Sequence, residues 1–209
     1  MRTEQRHYLH EAALNYSSLP FYPELQQCLP VLKSDALTAL LLGLTPNIKT
    51  LSLALRLGPE GPNSDSDELL TMRVLEAAAC ASSVVGRKLL SRLVELNLMG
   101  VQVFYEEDAD PPYWEGWNTR AISLGLRLPS LSRLHCVSIN DNDTGSGDIT
   151  RFDEMMSGWA CEPRASKVDH LVLERAHMSL REFQLVLDSC TALTHLHWSQ
   201  TCYSDDNCG

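Results

Sequence analysis

Apolar residues recur along this chain in two rhythms. Five short segments carry them at relative positions one, four and six: Ile48-Lys-Thr-Leu51-Ser-Leu53, Leu93-Val-Glu-Leu96-Asn-Leu98, Leu131-Ser-Arg-Leu134-His-Cys136, Val168-Asp-His-Leu171-Val-Leu173 and Leu193-Thr-His-Leu196-His-Trp198. Alternation over the last three positions predicts a strand with one buried face. Between the segments the spacing lengthens to that of a helix. Leu37, Leu40, Leu41 and Leu44 form one such face ahead of Pro46, which stops the helix just before the first strand.

Later helices announce their ends as well as their faces. Ser66 is a plausible N-cap for a helix carrying Leu69, Leu70, Val74 and Ala77, after the turn-rich Gly58-Pro-Glu-Gly-Pro-Asn63. A further helix is expected over 118–128. Ser179 and Glu182 have capping-box spacing, with Phe183, Val186 and Leu187 as the inward face of a helix that ends near Cys190.

Strand after helix after strand predicts an α/β fold with a parallel sheet. The hexads match the Leu-x-x-Leu-x-Leu core of a leucine-rich repeat. Their first positions, 48, 93, 131, 168 and 193, lie 45, 38, 37 and 25 residues apart. Only the last interval is of normal repeat length, so the others must hold insertions. The expectation is an irregular solenoid of about five units, a right-handed αβ superhelix with its parallel sheet on the concave side. An ordinary α/β domain with a parallel sheet is the alternative, because any buried parallel strand is rich in Leu and Val.

Three stretches carry a family likeness: Ala39-Leu-Leu-Leu-Gly-Leu-Thr-Pro-Asn-Ile-Lys-Thr-Leu-Ser-Leu53, Leu128-Pro-Ser-Leu-Ser-Arg-Leu134, and Val168-Asp-His-Leu-Val-Leu173 with 179–196 behind it. Over roughly residues 36–198 the chain resembles the leucine-rich-repeat region of fungal F-box-type proteins. The resemblance implies repeats that hold a substrate protein for a ubiquitin-ligase scaffold. No F-box is expected in the chain itself, because the first 35 residues contain Leu19-Pro20 but are short and poor in the helices that should follow. Residues 1–35 are accordingly read as a partly helical or irregular lead-in, 36–198 as the repeat domain, and 199–209 as a polar, disordered tail.

If hexad positions four and six point inward, positions three and five face the other way. Those are Thr50 and Ser52, Glu95 and Asn97, Arg133 and His135, His170 and Val172, and His195 and His197, so four of the chain's seven histidines share one face. The face is a candidate partner-binding surface, with Glu95, Asn97, Arg133, His135, His170, His195 and His197 as its contact residues. Simple solvation of polar strand positions is the plain alternative. A pH-sensitive or anion-attracting patch is a second, since imidazole titrates near neutrality. A zinc site among His135, His170, His195 and His197 is a third. Trp114 and Trp117, next to the carboxylates of Glu106-Glu-Asp-Ala-Asp110, are candidate loop anchors, or else pack back over the following helix.

Composition narrows the function. A net charge of −10 argues against nucleic acid and acidic membranes, which need a cationic footprint. Seven scattered cysteines without a Cys-x-x-Cys pair signal neither a disulfide framework nor a zinc ribbon. The N-terminus has no apolar signal stretch, and residues 36–44 are too short to span a bilayer, so a cytoplasmic or nuclear protein is expected. The Asp-rich 140–148 loop misses the calcium-loop spacing, and none of the common nucleophile, phosphate-loop or metalloprotease motifs occurs. The reading is a protein-binding module, not an enzyme, with no cofactor; a metal-binding protein or hydrolase using the histidine face is the rival.

Overall fold

The computed structural model describes residues 3–19, 21–29, 34–54, 70–80, 86–103, 113–115, 119–140 and 161–200. Three helices lead in: α1 (Thr3–Ala13), α2 (Tyr22–Cys28) and α3 (Ser34–Leu44), with a 3-10 turn at Leu14–Tyr16. There follow β1 (Thr50–Ala54), α4 (Leu70–Cys80), β2 (Glu95–Met99), β3 (Val101–Val103), β4 (Tyr113–Glu115), α5 (Thr119–Arg127), β5 (Arg133–Asn140), β6 (His170–His177), α6 (Leu180–Ser189) and β7 (His195–Trp198).

The five hexads are five neighbouring strands. β1, β2, β5, β6 and β7 make one parallel sheet in chain order. Their register is the one the hexad alignment expects: Leu51, Leu96, Leu134, Leu171 and Leu196 form one row across the sheet, and Leu53, Leu98, Cys136, Leu173 and Trp198 the next. A one-residue slip would turn a strand's inward apolar pair out to solvent, and this penalty holds the register. The architecture is mixed α/β.

α3, α4, α5 and α6 lie side by side in that order over the apolar face. Leu96, Leu98, Leu134, Cys136, Leu171 and Leu173 are sealed beneath them, each at most 1% exposed. Gly125 lets α5 approach closely: a Cβ there would stand 3.3 Å from the Leu134 side chain and 3.5 Å from that of Leu96. Burial pushes the Cys136 thiol well above its ordinary pKa, so it fills the row as a small neutral hydrophobe.

The long intervals divide as expected in part. α4 fills the first and α5 the second, but the stretch read as a loop between β2 and α5 contains an antiparallel hairpin, in which β3 pairs with β4. Part of the third interval, 141–160, lies outside the described residues, and so does Ser66. The first amides of α4 are capped from elsewhere. The Asp35 carboxylate accepts from the N–H groups of Leu70 and Thr71, the latter at 3.1 Å, and from the Thr71 hydroxyl. Thr71 is fully buried, so without Asp35 its donors would have no water to turn to. Asp35→Ala is therefore expected to cost about 1–2 kcal/mol in chemical denaturation. Asp35→Asn, which keeps one acceptor oxygen, should lose less.

α6 begins as read. Ser179 Oγ accepts from the Glu182 amide at 3.3 Å, and the Glu182 carboxylate accepts from the Ser179 amide, closing a capping box. The lead-in, read as partly helical or irregular, carries α1, α2 and the 3-10 turn, and its Tyr16, Leu19, Phe21, Leu25 and Leu29 are buried in the same cluster as the sheet leucines. At the other end Ser199 follows β7 and keeps its backbone bonds to the β6 strand. Its amide donates to the Leu173 carbonyl and its carbonyl accepts from Ala176, extending the ladder past β7.

Candidate functional site

Among the described residues, α3 to α6 lie over the apolar face of the sheet and not over its polar face. Strand alternation sends the third and fifth hexad residues there, and register lines them up: Thr50, Glu95, Arg133, His170 and His195 in one row, Ser52, Asn97, His135, Val172 and His197 in the next. Glu95, Asn97, Arg133, His135 and His170 thus come together as neighbours, with Val172 and the backbone side of Leu134, around an open pocket of about 340 Å³. His195 and His197 stand at the edge of the same face and are exposed.

Within this patch the charges are partly paired. Arg133 Nη1 lies 3.8 Å from Glu95 Oε2, and Asn97 Nδ2 donates to Glu95 Oε1 and to Ser52 Oγ, both at 3.2 Å. Arg133 is nearly two-thirds exposed, so this ion pair adds little to stability. It leaves the guanidinium at the surface as a set of donors. His135 Nε2 is buried and lies 3.5 Å from Glu174 Oε1, with no hydrogen bond among the described residues.

His170 and His195, expected as lateral neighbours, stack face to face with ring centroids 4.5 Å apart and planes 6° from parallel. Stacked imidazoles direct their nitrogens alongside each other, a poor geometry for converging on one ion. Among the described residues no group of three or more His, Cys, Asp or Glu side chains stands close enough to hold a metal ion. Cys202 and Cys208 lie outside the described residues. Of the two loop anchors, Trp114 sits in β4 opposite Gln102 of the hairpin, a two-stranded sheet of its own beside β5, and Trp117 lies outside the described residues.

Sequence reading missed Glu174, whose carboxylate reaches His135. It lies beyond the hexad of β6, and only the continued pairing of β5 with β6, Val137 opposite Glu174, puts it on the patch. A longer run of strand alternation, His170, Val172, Glu174, was the signal that marked it.

No protein-family model matches the chain, and no curated protein or solved structure does either. Among the described residues no helix is long and apolar enough to cross a membrane.

Proposed function

We propose that this chain is a leucine-rich-repeat-like module that binds a protein partner on the polar face of its parallel sheet. The observation that carries the reading is the side-by-side placement of Glu95, Asn97, Arg133, His135 and His170 on adjacent strands around an open pocket. The repeat reading draws support from five hexads in one register, laid down in chain order with consecutive helices on a single face. In a repeat of this kind each unit buries its apolar side against its neighbours and leaves a continuous polar strand surface for recognition.

The patch is chemically mixed: a guanidinium, several imidazoles, an amide and two carboxylates, with Val172 as an apolar floor. Such a surface matches the backbone and side-chain polar groups of a protein segment better than a uniform polyanion. The likeness to F-box-type repeats extends the proposal to substrate recognition in a ubiquitin-ligase-type adaptor. The chain's own residues argue for the partner-binding half of that role.

The test is quantitative affinity capture with His170→Ala/His195→Ala beside the native chain. Both rings are on the surface side of the sheet, so the thermal melt should move by no more than about 1 kcal/mol in stability. A specific protein partner should be lost by about tenfold or more, as for removal of interface anchors. Identical capture by the two proteins, or a variant that does not fold, would count against this face.

A further inference from the structure

The two rows of apolar residues do not end as they run. Leu171 is fully buried and Leu134 and Leu96 nearly so, but Leu196 in the same row of β7 is 42% exposed. On the helix above, Leu180, Phe183 and Leu187 share one face at i, i+3 and i+7. Leu180 is 79% exposed, and Phe183 and Leu187 are only partly covered, with Phe183 stacked on Trp198 at 4.2 Å. Helix and strand together present an apolar end wall.

Beneath that wall lies an open edge. Among the described residues no strand pairs with β7 beyond β6. His195 and Ser199 donate their amides to Asp169 and Leu173 of the β6 segment, so by the alternation of a parallel ladder Leu196 and Trp198 turn their N–H and C=O groups outward. The edge is short but lacks the side-chain devices that usually discourage pairing: His195-Leu-His-Trp198 contains no Lys, no Pro and no inward charge.

We propose that this end is occupied by a second copy of the chain, β7 pairing antiparallel with β7 about a two-fold axis perpendicular to the sheet. Charge selects this occupant. The chain carries −10, yet residues 189–204 hold no Asp, Glu, Lys or Arg, the longest such run in it. Two acidic copies meet here without setting carboxylate against carboxylate, while a charged partner gains nothing from this wall. Geometry agrees with it. Centring the axis on Leu196 places Leu196 of one copy against Leu196 of the other, and keeps every inward side chain on the helix side, because residues directly opposite in an antiparallel pair share a face. The sheet then continues through the junction, and the α6 stripes close over it as an isologous contact.

The experiment is sedimentation equilibrium across a concentration series. The native chain is expected to pass reversibly from 23.4 kDa to twice that mass. Leu196→Glu should hold it at the single-chain mass with an unchanged circular-dichroism spectrum, since it sets two like charges opposite each other. Leu180→Glu, at a helix position that is nearly all exposed, should weaken the association without touching the strand. An equimolar mixture of Leu196→Glu and Leu196→Lys should recover the double mass, a rescue that only self-opposition at position 196 produces. A native chain that stays single at its highest soluble concentration, association beyond two chains, or a mixture that does not recover would each overturn the proposal.

Discussion

Leu171→Ala is expected to lower stability by about 2–5 kcal/mol, the cost of truncating a sealed leucine and leaving its cavity. Leu171 is fully buried in the fourth strand of five, with Leu134 and Leu196 as its row neighbours. The same substitution one strand on, Leu196→Ala, should cost about 1 kcal/mol or less, because that residue is already 42% exposed. Both are read by urea denaturation at a protein concentration low enough to keep the chain single. Equal costs at the two positions would mean that β7 is covered by something the sheet itself does not supply.

Gly43→Ala is the second change with a large expected effect. A Cβ at Gly43 would lie 1.2 Å from the Tyr16 hydroxyl oxygen and 1.8 Å from the ring carbon that bears it. The ring has no easy retreat. It is 2% exposed, and its hydroxyl donates to the Leu40 carbonyl at 2.7 Å. Burial also raises the phenol's pKa well above its usual value, so the group remains a neutral donor. Over-packing costs about 1–3 kcal/mol and the lost hydrogen bond about 1 kcal/mol more, a total of about 2–4 kcal/mol. The expulsion of Tyr16 should also free the 3-10 turn that ties α1 and α2 to α3, so limited proteolysis should cut the variant near residues 14–21 well before the native chain.

The contrast between Leu171 and Leu196 marks how far the hexads can be read. Both occupy position four of the same motif, and local pattern assigns both to the core. Their difference arises from what lies beyond each strand, which no hexad encodes. The same limit appears at the helix starts. The Ser179–Glu182 box is local in sequence and was legible; the cap on α4 comes from Asp35, 35 residues before Leu70, and was not. The β3–β4 hairpin escaped for another reason: three-residue strands are too short to display a period.

The candidate site divides in the same way. Period-two alternation placed Glu95, Asn97, Arg133, His135, His170, His195 and His197 on one face, and the shared hexad register made them neighbours. The stacking of His170 on His195, the enclosure of His135 Nε2 and the approach of Glu174 depend on side-chain packing across strands.

What the amino-acid order settled was strand position, facing and register, because inward and outward sides alternate every residue and a slip exposes a whole apolar row. What folding alone settled was which groups are sealed, capped or left open: the Tyr16 ring over Gly43, the Asp35 carboxylate on α4, the partial exposure of Leu196 in β7. Those depend on contacts between residues far apart in the chain, whose distances are set only when the layers close on each other.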